Sequence, residues 1–223
     1  MGDRWTWLSV LWGGLLLAAG CEAQPSGPLG GLPMHHLDFS TPPPGGRGRG
    51  QRTRSGAEGA RQGKPRGGRP WRHIVIHHSA TDRGSAALFD KAHRRRGWDE
   101  LGYHFVITNG RGGPDGRVEV GSRWTSQKWG AHTGGTPGNE YNNFGIGICV
   151  VGDFSKRRPS RAQLDALRRL VMALAARYDI PARNVIGHRD APKAHTRCPG
   201  ARLHEYIHRT LRPELARRAA TGK

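Results

Sequence analysis

The sequence predicts an α/β or α+β fold, a central mixed β-sheet flanked by helices. Three observations carry this. Short runs of β-branched and aromatic residues (IVI at 74–76, GYHFVIT at 102–108, GIGICVV at 145–151) read as strands, the first and last buried on both faces. Residues 161–178 place apolar side chains at helical spacing. Strand-like and helix-like segments then alternate along the chain instead of forming separate blocks.

Each element has a local reason. Residues 71–78 form the first strand, because Ile74, Val75 and Ile76 are consecutive and β-branched. Ser85 caps a helix that runs to Arg96 and stops at Gly97. Residues 102–108 form the second strand, and Asp115-Gly116 turns the chain into a short third one at 117–120. Residues 121–143, rich in Gly, Ser, Thr and Asn, read as a long surface loop of the kind that carries function. Residues 145–151 form a central strand whose glycines indicate close backbone approach or a bulge. The capping box Ser160-Arg161-Ala162-Gln163 opens the clearest helix. Leu164, Leu167, Leu170, Val171, Leu174 and Tyr178 share one face of it, and Ile180-Pro181 ends it. A short strand at 184–186, a loop and a last helix at 203–211 follow, and the end, ELARRAATGK, is expected to fray.

The 223 residues allow one ordinary domain with extra segments, and residues 71–223 are read as that domain. Residues 1–21 read as an export signal: Arg4 precedes an apolar run ending at Cys21, shorter than the roughly 20 residues that span a bilayer. The ending Leu17-Ala18-Ala19-Gly20-Cys21 resembles a lipobox, in which Cys21 is acylated and anchors an exported lipoprotein to a membrane of the cell envelope. Secretion with cleavage after Ala23 is the alternative. Residues 22–70 read as a basic Gly/Pro/Arg-rich linker with too few apolar groups to offset the entropy of ordering. Its RGRG run admits a nucleic-acid arm, but an exported chain meets little nucleic acid, so a solvated tether leaning on anionic lipid or wall polymer is expected. The net charge is +19, and beyond residue 72 there remain 26 basic and 13 acidic residues, so the domain is basic too. Three cysteines leave no even set for a disulfide framework, and Cys149 reads as a small buried hydrophobe.

The chemistry gathers in NVIGHRDAPKAHTRCPG, residues 184–200, where His188 precedes Cys198 by ten residues. His and Cys are suited to Zn²⁺, but a catalytic zinc takes three protein ligands and leaves one position open. The candidate third ligand lies in IHHSAT, where His77 and His78 end the first strand. They face opposite sides of an extended chain, so only one can join.

IHHSAT, GYHFVI, the WGAHTGG run, IGICVVGDF and GHRDAPK with TRCPG occur in that order. Together they resemble the zinc-dependent N-acetylmuramoyl-L-alanine amidase family, the type 2 amidase fold shared by phage lysozyme-type amidases, bacterial cell-wall amidases and animal peptidoglycan recognition proteins. The resemblance covers residues 71–210. It implies one zinc ion held by His77, His188 and Cys198, with Tyr103 as catalytic residue and Thr196 as its helper in stabilising the transition state. Phage members carry Lys at the position of Thr196, and Lys193 is the out-of-register alternative. His132 matches a histidine beside the cleft and is implied to contact substrate. The implied substrate is peptidoglycan or its muropeptides, cleaved between the lactyl group of N-acetylmuramic acid and L-Ala. The rival reading is a peptidoglycan-binding protein without activity; retention of Cys198, Tyr103 and Thr196 argues for the enzyme. The chain is read as a monomer that takes no nucleic acid. One departure stands out. The His188–Cys198 spacing matches the longer loop of cytoplasmic anhydro-muropeptide amidases, which use Asp as third ligand and Glu where this chain has Cys149.

Overall fold

The computed structural model describes residues 69–221. The segment read as an export signal, with Cys21, and residues 22–68 of the basic stretch lie outside the described residues. Five strands form one sheet: β1 (His73–His78), β2 (Phe105–Ile107), β3 (Val118–Val120), β4 (Gly145–Val150) and β5 (Val185–Gly187). Their order is β3-β2-β4-β1-β5. β1 runs parallel to β4 and β5, β2 runs parallel to β4, and only β3 is antiparallel, against β2. The sheet is therefore mixed, with GIGICV as its middle strand, buried along its whole length.

The pleat sorts β1 onto two faces. Ile74 and Ile76 join the main core, where Phe105, Ile107, Ile146 and Ile148 meet Leu167, Leu170, Val171 and Leu174 of α4 (Arg161–Tyr178). Both halves of the Ser160/Gln163 capping box are made at the start of α4. On the other face Val106, Cys149 and Val151 pack against Leu101, Phe89 and Tyr103, and Val75 packs against Ile186 and Ala191. Phe89 belongs to α1 (Ala86–Arg95), whose N-cap Ser85 accepts a hydrogen bond from the Leu88 N–H at 3.2 Å. β1 presents His77, only 1% exposed, on this second face.

Three expectations change. The second strand shrinks to Phe105–Ile107, although the His104 N–H still donates to the Gly147 carbonyl at 2.9 Å. Residues 121–143 stay largely at the surface but are not one continuous loop. They hold α2 (Ser122–Thr125) and α3 (Glu140–Asn143), and Arg123 is only 1% exposed. Its guanidinium donates to the Leu101 carbonyl at 2.7 Å, to the Trp129 carbonyl at 2.9 Å, and to Asp99. The polar residues of this stretch serve buried backbone groups, which composition alone does not reveal. The chain stays helical through Thr221 instead of fraying: α5 (Ala201–Tyr206) continues through a π turn into α6 (Arg212–Thr221). Leu215 is buried there, and Glu214 pairs with Arg168 of α4.

Candidate metal centre

Strand register brings the histidines together. In the parallel pair of β1 and β5, Ile76 stands beside Gly187. The next residues along the two strands are His77 and His188, and their ring centroids lie 4.7 Å apart. Cys198 returns from the intervening loop, closed at its base by the Arg189 N–H donating to the Cys198 carbonyl at 2.8 Å. The longer spacing is thus absorbed in residues 190–197, with Ala191 buried against Val75 and Ile186. Cys198 Sγ accepts from the His78 N–H at 3.4 Å and lies 3.7 Å from His77 Nδ1.

One donor atom from each of His77, His188 and Cys198 lies within 4.8 Å of the others. Zn–S of about 2.3 Å and Zn–N of about 2.1 Å in a tetrahedron hold sulfur and nitrogen about 3.6 Å apart. The observed Sγ–Nδ1 separation is 3.7 Å, so these residues fit zinc in spacing as well as in donor type. Burial, reinforced by His132 and His188, drives the His77 pKa well below its ordinary value. Burial lowers that of His188 too. Both rings are neutral at pH 7 and have a lone pair to offer. Burial pushes the Cys198 thiol up to about 12, partly opposed by the His78 N–H. A bound dication reverses that preference and holds a thiolate.

His78, as the pleat requires, lies on the opposite face. Its Nδ1 accepts from the Phe154 N–H at 3.2 Å. Tyr103 is half-buried beside the centre, its ring 5.3 Å from that of His77. Burial, with Cys149 and Cys198 nearby, raises its pKa well above 10, so the phenol keeps its proton. Thr196 Oγ1 accepts from the Cys198 N–H at 3.1 Å, which leaves its own proton free to donate. Lys193 is exposed, with a left-handed φ of 61°. His132 is 7% exposed and sits behind His77, its Nδ1 3.2 Å from His77 Nε2.

Sequence reasoning passed over Asp190, two residues after His188. Its carboxylate accepts from the Gly187 N–H at 2.9 Å, from His204 Nε2 at 2.7 Å and from His208 Nε2 at 2.9 Å. Burial alone would raise its pKa, but His208, His204 and the Gly187 amide hold it below the ordinary carboxylate value. The clamp ties the turn that carries His188 to the helix at 201–211. The i, i+4 spacing of His204 and His208 was the available signal. This trio also gathers three donor atoms within 4.8 Å. A carboxylate oxygen only accepts, so both Nε2 atoms carry protons, and Arg212 occupies His208 Nδ1 at 3.1 Å. The trio is a hydrogen-bonded clamp.

The family model described as N-acetylmuramoyl-L-alanine amidase matches residues 67–201. Among curated proteins, peptidoglycan recognition protein 1 of Bos indicus is 34% identical over 148 residues, covering 62% of this chain and 71% of that protein. N-acetylmuramoyl-L-alanine amidase of Sus scrofa is 33% identical over 134 residues, covering 56% of this chain but only 20% of the pig protein, so this chain spans about a fifth of that relative. Among solved structures, N-acetylmuramoyl-L-alanine amidase LysC from Clostridium intestinale superposes with a TM-score of 0.53 at 28% identity, over 64% of this chain and 86% of that one. Bumblebee PGRP-SA gives 0.52 at 30%, over 64% and 83%. The sheet, the donor trio and these matches lead to one conclusion: the chain belongs to the N-acetylmuramoyl-L-alanine amidase family.

Proposed function

We propose that this chain is a zinc-dependent N-acetylmuramoyl-L-alanine amidase that hydrolyses the amide between the lactyl group of N-acetylmuramic acid and L-Ala in peptidoglycan or its muropeptides. The observation that carries the reading is the gathering of His77, His188 and Cys198 beside the phenol of Tyr103. When bound, zinc supplies Lewis acidity toward water and the scissile carbonyl. Cys198 contributes a negative charge to the donor set, and the neutral rings of His77 and His188 contribute lone pairs. Three protein donors leave one coordination position for water or substrate. Tyr103, protonated throughout the neutral range, donates a hydrogen bond to the oxygen on which negative charge develops. Thr196 supplies a second donor through its free hydroxyl proton and steadies Cys198 through the backbone.

The lipobox-like Leu17-Ala18-Ala19-Gly20-Cys21 supports export and anchoring by acylated Cys21 in the cell envelope, with simple secretion as the alternative. The test is incubation of the full chain with peptidoglycan, with chelator and then with zinc restored, products read by mass spectrometry. The expected products are stem peptides with a free L-Ala amine, formed only with zinc present. Sedimentation with peptidoglycan but no cleavage in any metal condition would establish a binding protein in place of the enzyme.

A further inference from the structure

A chain of hydrogen bonds runs from the backbone of β4 to the candidate metal centre. His132 Nε2 lies 3.1 Å from the Gly145 carbonyl oxygen, which can only accept, so Nε2 carries the ring proton. In the neutral ring Nδ1 then holds the lone pair. The Thr133 hydroxyl lies 2.6 Å from it and His77 Nε2 3.2 Å. His77 Nε2 bonds to this lone pair only as N–H. His77 Nδ1, 3.7 Å from Cys198 Sγ, is then left unprotonated.

The slot around His132 is shaped for its ring. A Cβ added at Gly147 would meet His132 Cδ2 at 2.3 Å, and one added at Gly130 would meet the same atom at 2.3 Å. Any larger residue at either position displaces the imidazole. The backbone is pinned as well: the N–H groups of His132 and Thr133 both donate to Asn142 Oδ1 at 2.8 Å. This explains Gly130 and Gly147 by close approach of a ring.

We infer that His132 is a positioning residue of the metal centre: locked by the Gly145 carbonyl, it holds His77 in the tautomer whose Nδ1 lone pair faces Cys198. The inference rests on the zinc reading above, and it gives His132 a role behind the ligand, distinct from contact with substrate. Partners of this kind fix the orientation and tautomer of ligating histidines.

The test compares the full chain with His132→Asn and His132→Leu, which have nearly the same shape. The Asn side chain can place Oδ1 where Nδ1 was and accept from His77; Leu cannot accept. Zinc affinity is measured by competition with a chromophoric chelator, and long-range nitrogen–proton correlation spectra of the metal-free proteins report which His77 nitrogen bears the proton. The wild type is expected to show His77 protonated on Nε2. The Asn variant is expected to bind zinc within a few-fold of wild type, and the Leu variant roughly 10- to 100-fold more weakly, with mixed His77 tautomers. Leu binding like wild type, or Asn and Leu equally weakened, overturns the proposal. If the Leu variant does not fold, the wild-type spectrum decides, since His77 protonated on Nδ1 also overturns it. A wild type that binds no zinc sinks the metal reading instead, while its nitrogen spectrum still reports the tautomer.

Discussion

Tyr103 and the buried histidines show how burial selects protonation states at the residue scale. Burial keeps the Tyr103 phenol protonated, so under the proposed function its part in the reaction is a donated hydrogen bond. Tyr103→Phe removes the donor and leaves the His/Cys trio intact. Turnover is expected to fall roughly 10²- to 10³-fold with zinc affinity unchanged, checked by steady-state kinetics and chelator competition. His104, fully buried, has its pKa lowered by burial to about 4. Its Nδ1 accepts from the Gly147 N–H at 2.9 Å, which suits the neutral ring. Below pH 6.5 the unfolded chain takes up a proton at this position and the native state does not, so stability present above 6.5 is lost as pH falls toward 4. His104 alone accounts for about 3 kcal/mol across that window. His77 and His132, whose pKa values burial also lowers, add to the loss in metal-free protein. Urea titrations of metal-free protein at pH 7 and pH 5 check this; equal stability at the two values contradicts it.

Helix α4 shows the same logic at the scale of an element. Ser160 Oγ accepts from the Gln163 N–H at 3.0 Å, and Gln163 Oε1 accepts from the Ser160 N–H at 3.2 Å. The Gln163 side-chain amide also donates to the Val151 carbonyl at 2.9 Å, fastening the start of α4 to the end of the central strand. Ser160→Ala is expected to destabilise the domain by about 1 kcal/mol, read from chemical denaturation. Gln163→Leu is expected to cost more, because it also leaves the buried Val151 carbonyl unpaired, at about 1–3 kcal/mol. Both the capping box and the apolar stripe were legible in the sequence, because their partners lie within one helix turn. The fastening to Val151 and the burial of Arg123 were not, because their partners are distant in the chain.

Charge acts at the scale of the whole molecule. The chain carries +19, and 26 basic against 13 acidic residues remain beyond residue 72. Such a field draws the protein to anionic polymer and is screened over about 10 Å at 0.1 M salt. Under the proposed function, cleavage of intact anionic sacculi is expected to slow several-fold as salt rises from about 0.02 to 0.2 M, while cleavage of a small soluble muropeptide changes little. Equal salt dependence for both substrates contradicts this.

The sequence by itself determined the strands and the long helix, because periodicity and caps are local properties of residue order; it nominated His188, Cys198 and the His77-His78 pair as donors by ligand chemistry, and the resemblance to the amidase family implied His77 as the third. It could also decide that His77 and His78 face apart, since the pleat alternates without reference to the rest of the fold. Only the tertiary structure decided that Ile76 stands beside Gly187, so that His77 and His188 meet, and that the 190–197 loop closes on Arg189 to return Cys198. It alone decided which polar residues of the 121–143 segment, Arg123 and Asn142 among them, turn inward as scaffolding, with His132 behind His77 in a slot between Gly130 and Gly147. The physical reason is that strand register and long-range hydrogen bonds join residues dozens of positions apart, and composition carries no record of which polar groups find each other once water is excluded.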